Sequence, residues 1–157
     1  MATTLRFLQF FALGTWVGNI LYFSFVVAQG AFAVLPSQDM AGRVVNYSLT
    51  GLHLIGIAAG VIYLAATAAA GKSVSALAQP AAILVFIMVV LTVASQYGVI
   101  PRMEVLRAQM GSVSGAPAGS PLRAAFDRLH QYSVWIESVV LLSGLVALFL
   151  TARQRAN

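Results

Sequence analysis

The chain has 157 residues, of which 60% are hydrophobic and only 8% charged. Charged residues make up about a quarter of a typical soluble chain, so this balance excludes a water-facing globular surface and makes lipid the main solvent. The net charge of +5 does not point to nucleic acid, because the nine basic residues are scattered over helix ends without a basic, aromatic-interleaved patch.

Four apolar stretches, roughly residues 5–34, 45–70, 78–100 and 124–152, fill most of the sequence. Each exceeds the ~20 residues that carry a helix across a ~30 Å hydrocarbon core. The expected fold is therefore all-α: a polytopic four-helix bundle, up-down-up-down, in a single four-span domain over residues 1–157. The expected location is the inner (plasma) membrane of a bacterium. The absence of cysteine excludes a disulfide, a thiolate metal site and thiol redox chemistry.

Span 1 contains a small-x-small triplet, Ala31-Phe32-Ala33, of the kind that ends a signal peptide. The apolar run before it is about twice the 7 to 15 residues of a signal core, and it carries Asn19 near its middle, so it is read as a retained span. After Leu35-Pro36, the oxygens of Ser37, Gln38 and Asp39 can start a helix, and a short interfacial turn is expected before span 2. Gly71-Lys72-Ser73 is a tight link that forces spans 2 and 3 antiparallel.

Span 3 is expected to stop at Ile100-Pro101. From Arg102 to Gln109 charges alternate with Met103 and Leu106 at helical spacing, which predicts a short helix lying in the headgroup region. Gly111 to Pro121, rich in Gly, Ser, Ala and Pro, reads as a flexible loop. Arg6, Lys72, Arg153 and Arg155 fall on the side of the termini, and Arg43, Arg102, Arg107, Arg123 and Arg128 on the other. The positive-inside rule hardly separates the two sets, and the reading leans towards cytoplasmic termini.

Glycines four apart, Gly14 and Gly18 in span 1 and Gly56 and Gly60 in span 2, make smooth faces for close helix packing in lipid. The order aliphatic, Pro, amphipathic link, Leu-His occurs twice: Leu35-Pro36 with Leu52-His53, then Ile100-Pro101 with Leu129-His130. A repeat of that kind would put His53 and His130 on one membrane side at similar depth, about two turns into their spans.

Ala41-Gly42-Arg43, Leu52-His53, Ser95-Gln96-Tyr97-Gly98-Val99-Ile100-Pro101-Arg102 and Phe126-Asp127-Arg128-Leu129-His130 resemble the DUF4149, or TMEM205-like, membrane proteins. The resemblance covers nearly the whole chain and implies a four-span integral membrane protein; it supplies no activity. Near the middle of span 4, where that family usually carries a neutral amide, this chain has Glu137.

Polar residues at helical spacing place Asn19, His53, Gln96, His130 and Glu137 on an inward-facing seam, the candidate ligand-binding residues. The structural reading of Glu137 is a protonated carboxyl donating to Asn19 or to a backbone carbonyl. His53 and His130 are the candidate ligands if a metal ion or haem iron is held, with Asp127 orienting His130. No cofactor is required by the pattern. Arg102, Glu104, Arg107, Asp127 and Arg128 are expected to form ion pairs, Arg107 with Asp127 in particular, between the interfacial helix and the start of span 4.

No nucleophile beside a base, phosphate-binding glycine loop or paired-carboxylate site is visible, so catalysis is not expected. The favoured reading is a non-enzymatic membrane scaffold or accessory subunit. The alternative is a binder or transporter of a ligand, metal, haem or ion that uses the polar seam. The expected partners are the bilayer and a membrane protein or a second copy, not nucleic acid.

Overall fold

A computed structural model describes residues 2–117 and 119–153. Among the described residues there is no strand, and four helices are long and apolar enough to cross a membrane: α1 (Thr3–Val34), α2 (Gln38–Gly71), α3 (Pro80–Met110) and α4 (Pro121–Arg153). Arg155 lies outside the described residues.

The helix ends follow local chemistry. Ser37, in extended conformation, accepts a hydrogen bond from the Met40 amide at 3.2 Å and starts α2. Helix α2 thus begins seven residues before the apolar run at 45. Its 34 residues measure about 51 Å at ~1.5 Å rise per residue, so the first turns protrude from a ~30 Å core. The link expected to be a separate interfacial turn is the beginning of this helix. At the other end Lys72 takes the left-handed conformation (φ 53°) and a single 3₁₀ turn, Val74–Ala78, leads into α3. Ser120 caps α4 by accepting from the Arg123 amide at 3.2 Å, and Pro121 stands where its missing N–H costs nothing.

Helix α3 does not stop at Pro101. It continues without a break to Met110, and the segment expected to form a separate helix is its C-terminal third. The reason is a π-helical turn over Ser95–Val99, which ends two residues before Pro101. Proline within an α-helix loses a hydrogen bond and presses on the carbonyl four residues back, which is Tyr97 here. A widened turn relieves that collision. A second π-turn occupies Phe23–Val27 of α1.

The helices form a closed ring in which α1 packs on α2, α2 on α3, α3 on α4 and α4 on α1. Directions follow from the contacts. Gln9 bonds Thr67 while Trp16 meets Gly56, so α1 and α2 are antiparallel. His53 meets Glu137 while Tyr63 meets Thr151, so α2 and α4 run parallel.

The centre is filled by Leu13, Trp16, Ile20, Tyr63, Val85, Met88 and Val140, all buried. Gly56 and Gly60 give the Trp16 indole room to lie on α2, since a β-carbon at either position would strike its ring. Gly144 does the same for Val17 and Met88. Gly14 and Gly18, expected to serve a matching purpose, have no neighbour within 4 Å of a β-carbon position. Outward, Phe7, Phe11, Phe86, Leu142 and Phe149 are exposed, a surface suited to acyl chains and not to water.

On the side of the termini, three helices are tied by a buried polar chain. Gln9 Nε2 donates to Thr67 Oγ1 (2.9 Å), Thr67 Oγ1 to the Tyr63 carbonyl (2.8 Å), and the Tyr63 and Thr151 hydroxyls share a 2.7 Å bond. Thr151 in turn reaches the Ala147 carbonyl at 2.7 Å. Each group in the chain has a partner, and the cluster reads as a structural lock.

Candidate functional site

Toward the opposite side the bundle opens. The first part of α1 packs on both α2 and α4, whereas Ala28–Val34, beyond the π-turn, packs on α2. The resulting gap between the end of α1 and the start of α4 holds a cavity of about 610 Å³. Its walls are largely apolar: Ile20, Phe23, Phe25, Phe32, Leu49, Met103, Phe126 and Leu141. Phe25 and Val134, on the two borders of the gap, are both more than half exposed.

Behind the cavity wall three candidate residues converge from three helices, and of the three only Glu137 lines the cavity. His53, fully buried, is held at both ring nitrogens: Nδ1 donates to Gln96 Oε1 at 2.8 Å, and Nε2 lies 2.6 Å from Glu137 Oε1. Gln96 reaches the ring from the π-turn of α3, the kind of local widening that recurs at functional sites. With Nδ1 carrying its proton, the short contact between Nε2 and Oε1 holds one more, on either atom. Imidazolium with carboxylate and imidazole with carboxylic acid differ only in where that proton sits, and both are neutral overall. Glu137 Oε2 is buried without a hydrogen-bond partner, and the Glu137 side chain lines the cavity.

This arrangement corrects several expectations. The partner of Glu137 is His53; Asn19 is half-buried, does not bond Glu137 and does not line the cavity. His130 lines the cavity but is exposed and nearer the mouth. The two histidines are not at equal depth, because α2 starts at Gln38. His53 lies fifteen residues into α2 and Glu137 sixteen into α4, whereas His130 lies only nine into α4. The imidazole of His53 is therefore level with Glu137, about two turns below His130. Both nitrogens of His53 are engaged, and among the described residues no group of three His, Cys, Asp or Glu side chains is placed to hold a metal ion.

The mouth is formed by charged residues that pair differently from the expected scheme. Arg107 stands 3.4 Å from Glu104, one turn back on its own helix, and 5.6 Å above the Phe126 ring. Asp127 pairs with Arg123, one turn earlier on α4, at 3.0 Å. Arg107 and Asp127 are thus not partners, because each finds an opposite charge within its own helix at i,i+3 or i,i+4 spacing. Arg102 and Arg128 make no ion pair among the described residues. Arg107 Nε and Nη1 are buried and lack hydrogen-bond acceptors.

The loop after α3, expected to be flexible, is clasped over this mouth. The Asp39 carboxylate accepts from the hydroxyls of Ser112 and Ser114 and from the amides of Val113 (2.9 Å) and Ser114 (3.4 Å). Arg123 donates to the Val113 carbonyl from the other side. Asp39 precedes the apolar run of α2, and these donors, the Ser112 hydroxyl foremost, hold its carboxyl down to about 2. Asp39, Ser112, Ser114 and Arg123 were not singled out for this role by the sequence. The alternation of serines around Val113 was the one available signal, and it named no acceptor.

A four-helix integral membrane protein with a cavity between its spans and a buried His–Gln–Glu cluster behind it is the class that fold and site define. The chain belongs to the family described as Domain of unknown function (DUF4149), which it matches over residues 11–112. The match takes in α1, α2 and α3, with His53, Gln96 and Arg107; Glu137 and His130 lie beyond it. No curated protein and no solved structure matches the chain.

Proposed function

We propose that this protein is a non-enzymatic membrane protein that takes an amphipathic small molecule or lipid from the bilayer into the cavity between α1 and α4. The observation that carries the reading is the cavity's construction: apolar walls of lipid-facing character, a lateral gap bordered by Phe25 and Val134, and a carboxyl at the floor with one unpartnered oxygen. A volume of about 610 Å³ falls within the ~300–1,000 Å³ of small-molecule sites. A protein serving only as a scaffold gains nothing from an unpartnered carboxyl oxygen below a cavity, since an unmet buried polar group costs stability. Catalysis is left out of the reading because both nitrogens of His53 are engaged, one by an amide and one by a carboxyl. An all-helical bundle, not a barrel, suits the inner (plasma) membrane of a bacterium.

The test is native mass spectrometry of the full-length protein released from nanodiscs of bacterial polar lipids. The wild type is expected to retain one small molecule or lipid, and Val134→Trp, which fills the gap from an exposed position, to lose it. Identical spectra, with nothing retained specifically by either protein, would overturn the proposal.

A further inference from the structure

The polar floor carries a charge argument that narrows the ligand class, and it rests on the cavity-binding reading above. We propose that the cavity binds a lipophilic organic cation, an ammonium or phosphonium with an apolar or aromatic body, in exchange for the proton shared by His53 and Glu137.

At rest the His53–Glu137 pair is neutral with its one shared proton, and Gln96 fixes the His53 ring by accepting from Nδ1. Loss of that proton leaves neutral imidazole beside a carboxylate, a single negative charge on a residue that lines the cavity. In a site of low dielectric such a charge is costly without a partner and strongly attractive to a cation. Glu137 lines the cavity, and its Oε2 is buried and has no hydrogen-bond partner at rest. The exchange balances: one positive charge enters the cavity and one proton leaves towards the mouth, with no bond made or broken except those to hydrogen.

The rest of the lining does not oppose a cation. Helix α1 contributes no titratable side chain to it, and Gln96, the other partner of His53, is neutral. Of the charged groups towards the mouth, Arg107 and Arg123 are offset by Asp39 and Asp127, and His130 is the remaining titratable group. Arg107, which rests on Phe126, is about 16 Å along α4 from Glu137 at ~1.5 Å per residue. Phe23, Phe25 and Phe32 also line the cavity, and aromatic rings attract desolvated cations.

Tetraphenylphosphonium and tetraphenylborate share one shape and carry opposite charges, so they isolate the sign. Each is titrated calorimetrically into the purified full-length protein in detergent, at pH 6 and pH 8, in buffers of differing ionisation enthalpy. The expected result is binding of the phosphonium with release of about one proton, and affinity weakening up to about tenfold for each unit of falling pH while the proton must be displaced. Glu137→Gln, which preserves a hydrogen bond to His53, is expected to weaken phosphonium binding at least tenfold and to abolish its pH dependence. If that variant does not fold, the proton count on His130→Gln, which leaves the His53–Glu137 pair in place, decides. Phosphonium binding without proton release, or unchanged in Glu137→Gln, overturns the exchange. Preferential binding of tetraphenylborate, lost in Arg107→Gln, overturns the cation assignment while sustaining the cavity reading. Failure of both probes together with an empty native spectrum overturns both.

Discussion

Removing the imidazole of His53 should be among the most damaging single changes in the molecule. His53→Ala deletes both hydrogen bonds and leaves Gln96 and Glu137 facing a void in a fully buried place. Interhelical hydrogen bonds in membrane proteins average ~0.6 kcal/mol and reach ~1.7, so the two contribute about 1–3 kcal/mol. A lost ring of about 60 Å³ adds roughly 1–1.5 kcal/mol at ~24 cal/mol per Å³ of residual cavity. The expected loss is thus about 2–5 kcal/mol, read as a lowered unfolding midpoint of the purified protein in detergent. The decisive measurement is a double-mutant cycle with Glu137→Ala, because residues in contact couple and distant ones add. Coupling of about 1 kcal/mol or more is expected. If the two substitutions were additive within error, the 2.6 Å contact would contribute nothing, and the account of the cavity floor would be wrong.

Two further outcomes follow from packing and from the clasp. Gly56→Ala and Gly60→Ala each drive a β-carbon into the Trp16 ring and should cost about 1–3 kcal/mol as overpacking does. Gly14→Ala and Gly18→Ala meet open space and should be neutral or stabilising by roughly 0.5–1 kcal/mol; equal midpoints for the two pairs would contradict the packing described. At the mouth, Asp39 has a folded value of about 2, below its unfolded ~3.9. Its contribution is therefore fully present above about pH 4 and lost as pH falls through about 2. Amide exchange at Val113 and Ser114, corrected for intrinsic rates, should show constant protection from pH 5 to pH 8 in the wild type and lose it in Asp39→Ala. Protection that titrates in that range would implicate a different group.

The bundle was legible because span length and apolar content follow directly from the thickness of a bilayer. Helical spacing put Asn19, His53, Gln96, His130 and Glu137 on one inward seam, and of these His53, Gln96 and Glu137 meet while Asn19 and His130 stand apart from them. The pairing of those three was not legible. It depends on where α2 begins, and Ser37 starts the helix before hydrophobicity rises. Hydropathy locates the apolar run, not the helix, so His53 was put two turns too shallow and matched with His130. Pro101 misled for a related reason. A proline signals a helix end unless the preceding turn widens, and nothing in Ser95-Gln96-Tyr97-Gly98-Val99 announces that widening by composition. Of the charged residues near the mouth, Glu104, Arg107 and Asp127 do pair, but with partners one turn away on their own helices and not across the loop, while Arg102 and Arg128 make no ion pair among the described residues.

The π-turn over Ser95–Val99 makes α3 two phased segments joined end to end. An α-helix advances about 100° per residue, and a widened turn absorbs one extra residue, so the face shown by Ile100–Met110 is offset from the one that Pro80–Ala94 would dictate. Deleting a single residue there would restore an unbroken α-helical phase and turn Arg107 by roughly a quarter of a revolution away from Phe126, with Val85 and Met88 undisturbed. The bundle's core and the rim of its cavity can therefore diverge separately, because the angular bookkeeping between them is held in one five-residue turn.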